Sequence, residues 1–179
     1  MNKALLLIDI QNFYFYGKAP LKDPVPAGLN AKRLLERFRE RGLPVIHIKH
    51  DTGDDRLSVE GKVLSDIHEC VTPKEGEAVL IKKTPGSFKG TPLNELLKDR
   101  GVDELVICGM MSHMCVDTTT REAFDLDYKC TVAHDACTTR NLEFNGTVVP
   151  AGMVHAASMA ALGYRFARVA DCGEILNGL

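Results

Sequence analysis

Six short apolar runs punctuate the chain, at residues 4–8, 43–48, 78–81, 105–108, 130–133 and 166–170, and they are continuous rather than alternating. A strand that is hydrophobic on both sides needs cover on both faces, the condition of a parallel sheet between two layers of helices. Helical patterns fall between the runs. Ala27, Ala31, Leu34, Leu35 and Phe38 recur on one helical face, and Gly42 follows as a stop. Thr91 with Pro92 reads as an N-cap followed by a first-turn proline, and Gly101 stands past the end. Residues 116–126 and 151–162 supply two more helices, while residues 51–77 form a long irregular excursion. The pattern predicts one α/β domain over residues 1–179. It is a three-layer α/β/α sandwich with a six-stranded, mainly parallel sheet in the order 3-2-1-4-5-6 that doubly wound sheets adopt.

Sheets of this kind bind ligands beyond the carboxyl ends of their strands. The first strand runs into Asp9, the third into Lys82 and Lys83, and the fourth passes through Gly109 to Cys115. Cys115 falls where a helix begins, so unpaired N–H groups and the positive end of the peptide dipoles favour its thiolate. Each residue has a plainer reading: a turn acid for Asp9, a solvated rim for the lysines, a buried gap-filler for the cysteine. The convergence of acid, base and thiol on one sheet edge favours chemistry over the three plain readings taken separately. No glycine-rich dinucleotide fingerprint follows the first strand and no P-loop occurs, which removes the nucleotide-binding uses of this fold.

Composition narrows the partners. The 179 residues are 45% hydrophobic and 26% charged, with a formal net charge of −2 and no run of one sign. Neither nucleic acid nor an anionic membrane is an expected partner. No stretch has the length of a membrane span, and the apolar run near Met1 is too short for a signal peptide, so a cytoplasmic location is expected. Cys70, Cys108, Cys115, Cys130, Cys137 and Cys172 form no C-x-x-C pair and read as reduced thiols.

Three motifs carry a resemblance. Leu5-Leu-Leu-Ile-Asp-Ile-Gln-Asn12 resembles a first-strand D-x-Q-N motif. Lys82-Lys-Thr-Pro-Gly-Ser-Phe88, followed by Gly90-Thr91-Pro-Leu93, is similar to a K-x-x-x-x-x-F-x-G-T-x-L segment. Gly109-Met-Met-Ser-His-Met-Cys115-Val, with Thr118 to Ala123, resembles a nucleophile motif, and His134-Asp-Ala-Cys-Thr138 and Val154-His155 fit as well. In this order the motifs resemble the isochorismatase-like cysteine hydrolase superfamily across essentially the whole chain, and the wording is most similar to a streptothricin-hydrolase-like branch.

The resemblance implies a triad of Asp9, Lys82 and Cys115, a cis peptide between Met110 and Met111, and an oxyanion hole formed by the backbone N–H groups of Met111 and Cys115. It implies hydrolysis of a carbon–nitrogen bond in a small amide, lactam or ureido compound through a thioester. No cofactor is called for, and relatives' habits imply a homodimer or homotetramer. Phe13 stands where the first motif commonly has an acid. The aromatic cluster holding Phe13 and Phe15 either walls a substrate pocket or packs the loop or a subunit contact. Phe88 is a further pocket candidate. His113 either faces substrate or bonds its own loop. Nicotinamidases of the superfamily carry a metal after the second strand. Here the spacing around His50, Asp51, Asp54 and Asp55 departs from theirs, with His68 isolated, so no metal is expected. The rival readings are a vinyl ether hydrolase of the isochorismatase type, which needs no thiol, a non-catalytic scaffold, and thiol redox chemistry, for which no resolving cysteine stands close.

Overall fold

The computed structural model describes residues 2–17, 20–51, 53, 58–59 and 61–179. Six strands form one sheet: β1 (Lys3–Ile8), β2 (Val45–His50), β3 (Ala78–Lys82), β4 (Glu104–Met110), β5 (Lys129–Thr138) and β6 (Arg168–Ala170). Their order is β6-β5-β4-β1-β2-β3 and every pairing is parallel. Read from the other edge, this is the expected 3-2-1-4-5-6. The helices are α1 (Phe13–Tyr16), α2 (Pro24–Glu40), α3 (Leu93–Asp99), α4 (Asp117–Asp125), α5 (Ala151–Arg165) and α6 (Cys172–Asn177). α2 and α6 pack on one face of the sheet, and α4 and α5 on the other.

Burial follows position in the sheet. β1 and β4 lie in its middle, and Ala4, Leu5, Leu6, Ile8, Leu105 and Ile107 are wholly buried. Their branched and leucine side chains fill the space against both helical layers. β3 was expected to be buried on both faces and is not. As an edge strand it alternates, leaving Val79 and Ile81 exposed and closing on a buried Lys82. At the sheet edge the strand has β2 on one side only and its Val79–Ile81 face is left uncovered, which explains the difference.

Several boundaries moved, and some matter for the site. β2 runs two residues beyond its apolar run, so His50 is still in the sheet, opposite Lys82. β5 runs to Thr138 rather than ending at residue 133, with a register shift between Ile107 and Gly109 in its pairing with β4. Residues 112–116 form one turn of π-helix before α4. Two antiparallel hairpins, Ser58–Val59 with Lys62–Val63 and Leu142–Phe144 with Thr147–Val149, were not expected. Gly109 marks where β4 and β1 come closest: a Cβ there would stand 2.0 Å from the carbonyl oxygen of Ile8, at a φ of +131. Only glycine fits that position.

Candidate active site

The carboxyl ends of β1, β3 and β4 deliver the three residues to one place. Asp9 follows β1 directly in a left-handed conformation, φ 50, and is wholly buried. Lys82 ends β3, and its Nζ lies 2.7 Å from Asp9 Oδ2 with both side chains shielded from solvent. The same Nζ donates to Cys115 Sγ at 3.3 Å and to the Thr84 carbonyl at 3.0 Å. Cys115 itself is 7% exposed. The Met110–Met111 peptide that precedes it is cis.

The loops are tied down by the motif residues. Gln11 uses its whole amide: Oε1 accepts from His50 N at 2.8 Å, and Nε2 donates to Ser65 O at 2.6 Å and His50 O at 3.1 Å. Asn12 Nδ2 donates to Val63 O at 2.8 Å. These bonds pin residues 63–67 over the ends of β1 and β2. On the other side, Ser87 and Thr119 share a hydroxyl contact at 2.7 Å, which fastens the segment after Lys82 to α4. The π-turn is held twice, by Ser112 Oγ with His155 Nδ1 at 2.7 Å and by His113 Nδ1 with Thr139 Oγ1 at 2.6 Å.

The electrostatics correct one expectation. Burial, and after it the negative Asp9, push the Cys115 thiol up to about 12, outweighing the Lys82 ammonium. The buried surroundings thus favour the thiol form over a preformed thiolate. The cysteine lies in the π-turn rather than at the head of α4, and dipole effects reach only about one turn. Asp9 is raised above the ordinary carboxylate range, chiefly by burial, with Lys82 opposing. Beyond the close ion pair, neither Asp9 oxygen has a well-aligned hydrogen-bond partner.

Two residues at the site were not among the candidates for catalysis. His50 Nδ1 lies 3.2 Å from Lys82 Nζ. Burial and then the neighbouring Lys82 lower its pKa, so a neutral ring accepts from the ammonium. The sequence signal is its place just after the apolar run of the second strand, where it is weighed only against a metal site that is not expected. Tyr14 is 6% exposed, and the charges of Cys115 and Asp9 both act on its hydroxyl. The aromatic run was noticed, but one turn of helix aims Tyr14 rather than its neighbours at the site.

The other candidates make their contacts outside the triad. Phe13 leans on Tyr14 with ring centres 4.1 Å apart. Phe15 stacks on His68 at 3.7 Å, in a groove with Val25, Leu29 and Cys70. Phe88 packs on Tyr128 at 6.0 Å. None of the three rings is placed by a contact with the triad. His113 bonds its own loop through Thr139. Asp135 is part of β5, accepting from Asn30 and the N–H of Cys172, while Asp171 caps α6.

His68 is taken up by Tyr16 and Cys70, and Asp51 faces Lys83 at 3.8 Å. Asp54 and Asp55 lie outside the described residues. Among the described residues no three His, Cys, Asp or Glu side chains are grouped to hold a metal. No helix among them is long and apolar enough to cross a membrane, and all six cysteines are free.

Comparison with known proteins adds to this geometry. Residues 3–173 match the family described as the Isochorismatase domain. The chain is 47% identical over 175 residues to YddQ of Bacillus subtilis (strain 168), an uncharacterized isochorismatase family protein, covering 94% of this chain and 96% of that one. It is 32% identical over 164 residues to a streptothricin hydrolase of Streptomyces noursei, covering 90% and 65%. Among solved structures, N-carbamoylsarcosine amidase from Thermoplasma acidophilum superposes with a TM-score of 0.79 at 25% identity, covering 96% of this chain and 97% of that one.

Proposed function

The chain belongs to the isochorismatase family, and from that premise we propose that it is a cysteine-dependent hydrolase. Its reaction is cleavage of a carbon–nitrogen bond, in a non-peptide amide, lactam or ureido group of a small molecule, through a thioester. The observation that carries the reading is the shared ammonium: Lys82 Nζ stands 2.7 Å from Asp9 Oδ2 and 3.3 Å from Cys115 Sγ in a place closed to bulk water. An amidase and a streptothricin hydrolase among the similar proteins support the class of bond.

The charges explain why a thiol with a high pKa still serves. Losing its proton to bulk water would leave an extra negative charge in a buried site, which is what burial opposes. Passing the proton to Asp9 creates no net charge. Before transfer the site holds a carboxylate, an ammonium and a thiol; after it, a carboxylic acid, an ammonium and a thiolate. Lys82 exchanges one anionic partner for another without moving far. The raised pKa of Asp9 makes it a better proton acceptor than a surface carboxylate, and its unsaturated oxygens leave room for the proton.

The sulfur then attacks the carbonyl carbon, and the N–H groups of Met111 and Cys115 receive the developing oxyanion. The carbon–nitrogen bond breaks as Asp9 returns its proton to the leaving nitrogen, giving an amine or ammonia and a thioester. A water molecule, deprotonated by Asp9, attacks the thioester and releases the acid and the thiol. His50, neutral and accepting from Lys82, holds the ammonium in place through both halves.

The test is product analysis over a panel of small primary amides, lactams and ureido compounds, run with the wild type and Cys115→Ala. The variant is expected to keep its far-ultraviolet dichroism and thermal transition and to lose turnover by at least about a thousandfold. Undiminished hydrolysis in Cys115→Ala would overturn the proposal.

A further inference from the structure

The outward face of α5 is unlike that of an ordinary surface helix. α2 turns Lys32, Arg33 and Glu36 to solvent, the polar face expected opposite a buried stripe. α5 has no Asp, Glu, Lys or Arg from Ala151 to Tyr164. Its exposed half carries Met153, Ala156, Ala157, Ala160, Ala161 and Tyr164, with Met153 65% and Tyr164 91% accessible. The hairpin before it, Leu142–Phe144 with Thr147–Val149, continues this character. Leu142 and Phe144 lie on one of its faces, Phe144 is 74% accessible, and the hairpin's main contacts are between its own two strands. A two-stranded hairpin standing alone is marginally stable in water. Asn141 Oδ1 accepts from Ala151 N at 2.8 Å, which fastens hairpin and helix into one unit.

Size and charge say what covers this surface. α5 is about 22 Å long. With the hairpin it exposes roughly 700 Å² of apolar surface, more than an ordinary exposed patch and near the share each partner gives to a standard stable interface. Charges sit only at the two ends, Glu143 in the hairpin and Arg165 at the last residue of the helix. Both are exposed, and neither has an ion-pair partner among the described residues. A surface uncharged in the middle, acidic at one end and basic at the other is complementary to itself turned end for end. Ala156 and Ala160 stand one turn apart at its centre, where small side chains let two helices approach closely.

We infer that a second copy of this chain covers the α5 face, in a two-fold dimer whose α5 helices run antiparallel and in which Glu143 of each copy meets Arg165 of the partner subunit. The dimer also completes the active site. His155 of α5 holds Ser112 at 2.7 Å, and Thr139, two residues before Asn141, holds His113 at 2.6 Å. Both braces of the nucleophile turn thus come from the unit that the second copy clamps. Without that copy they end on a helix face and a hairpin left in water. The inference does not depend on which bond the enzyme cleaves.

Sedimentation velocity on the whole chain tests the dimer. The wild type is expected to be a dimer, or a multiple of one, at micromolar concentration. Ala156→Glu combined with Ala160→Glu should raise the dimer Kd at least about a hundredfold, by burying carboxylates that have no partner. Glu143→Arg and Arg165→Glu change exposed positions that bury nothing in the monomer, so they decide the case should the paired glutamates disturb α5. Each alone should raise Kd about tenfold by setting like charges opposite each other, and an equimolar mixture of the two should associate as the wild type does. The same samples, treated with iodoacetamide and followed by peptide mass spectrometry, read the site without a substrate. Loss of the dimer should speed alkylation of Cys115 at least about threefold and leave Cys108, inside the sheet, unchanged. A wild type still monomeric at about 100 μM would hand the face to a different protein and overturn the inference. An oligomer indifferent to the paired glutamates, or a mixture of the two charge variants that fails to recover, would overturn it as well. Equal Cys115 alkylation in dimer and monomer would overturn the link to the active site.

Discussion

The two ends of β3 each carry a carboxylate, a cation and a histidine in contact, wholly or partly buried, and they behave in opposite ways. At the start of the strand, Glu77 is saturated. It accepts from Arg39 at 2.7 and 2.8 Å, from the N–H of Lys74 at 2.9 Å, and meets His47 Nε2 at 3.0 Å. The Arg39 hydrogen bonds lead the causes that pull its pKa down to about 2. At the far end, Asp9 is paired with the Lys82 ammonium, which it shares with a sulfur and an imidazole, and burial raises its pKa. The same three kinds of group make a brace in one place and, in the proposed reaction, a proton acceptor in the other. The difference is the supply of donors. A carboxylate surrounded by N–H groups is fixed in its charged form, whereas one left short of them can take up a proton at modest cost.

The comparison can be broken at either end. The largest effect is expected from Asp9→Asn, which keeps the shape and removes the acceptor: kcat/KM should fall about a thousandfold, within the range of a lost general base. In the wild type, the acid limb of the kcat/KM profile should lie above the ordinary Asp value of about 4, because the folded protein holds the Asp9 proton more tightly. Glu77→Gln should leave that limb and kcat in place. An acid limb at the ordinary value, or a Glu77→Gln enzyme with a shifted limb, would erase the distinction.

The effect of Glu77→Gln should appear in stability instead, as a loss of about 2–3 kcal/mol at pH 7 in urea denaturation. The sign with pH follows from the depressed value. The contribution is fully present above the unfolded pKa of about 4.3 and disappears as pH falls towards 2. Wild type and variant should therefore converge in strong acid, and a gap that persists at pH 2 would count against the brace.

The smallest change is expected from His50→Gln. The amide can still accept from Lys82, so the ammonium keeps a partner and kcat should drop by about tenfold or less, with KM little altered. A loss as large as that of Asp9→Asn would promote His50 from positioning the lysine to handling the proton itself.

How far the site could be read in the sequence depended on which residues act through the backbone. Asp9 and Lys82 directly follow apolar runs and Cys115 follows one through a short turn, and a parallel sheet brings strand ends together, so their convergence on one edge followed from topology. Gly109 and the Gln11-Asn12 pair could be quoted as motif letters. Their tasks, letting two backbones touch and pinning residues 63–67, became visible only with neighbours in place. Whether Phe15 and Phe88 wall a pocket or pack elsewhere stays open in the sequence, because an aromatic ring near a motif carries no direction in one dimension; in the fold they stack on His68 and Tyr128.

The chain's own pattern of apolar runs and helical stripes determined the layers, the parallel sheet and its order, because burial on two faces leaves few other arrangements. Only the tertiary structure decided protonation and direction. The thiol's proton depends on how much water the surrounding segments exclude and on Asp9, which lies 106 positions away in the chain (115 − 9). Arg140 is an ordinary surface letter until the fold surrounds its Nε and gives it no acceptor. Hydrophobic periodicity is a local property and can be read along the chain. Electrostatic environment is a sum over everything nearby in space, and it exists only once the chain has folded.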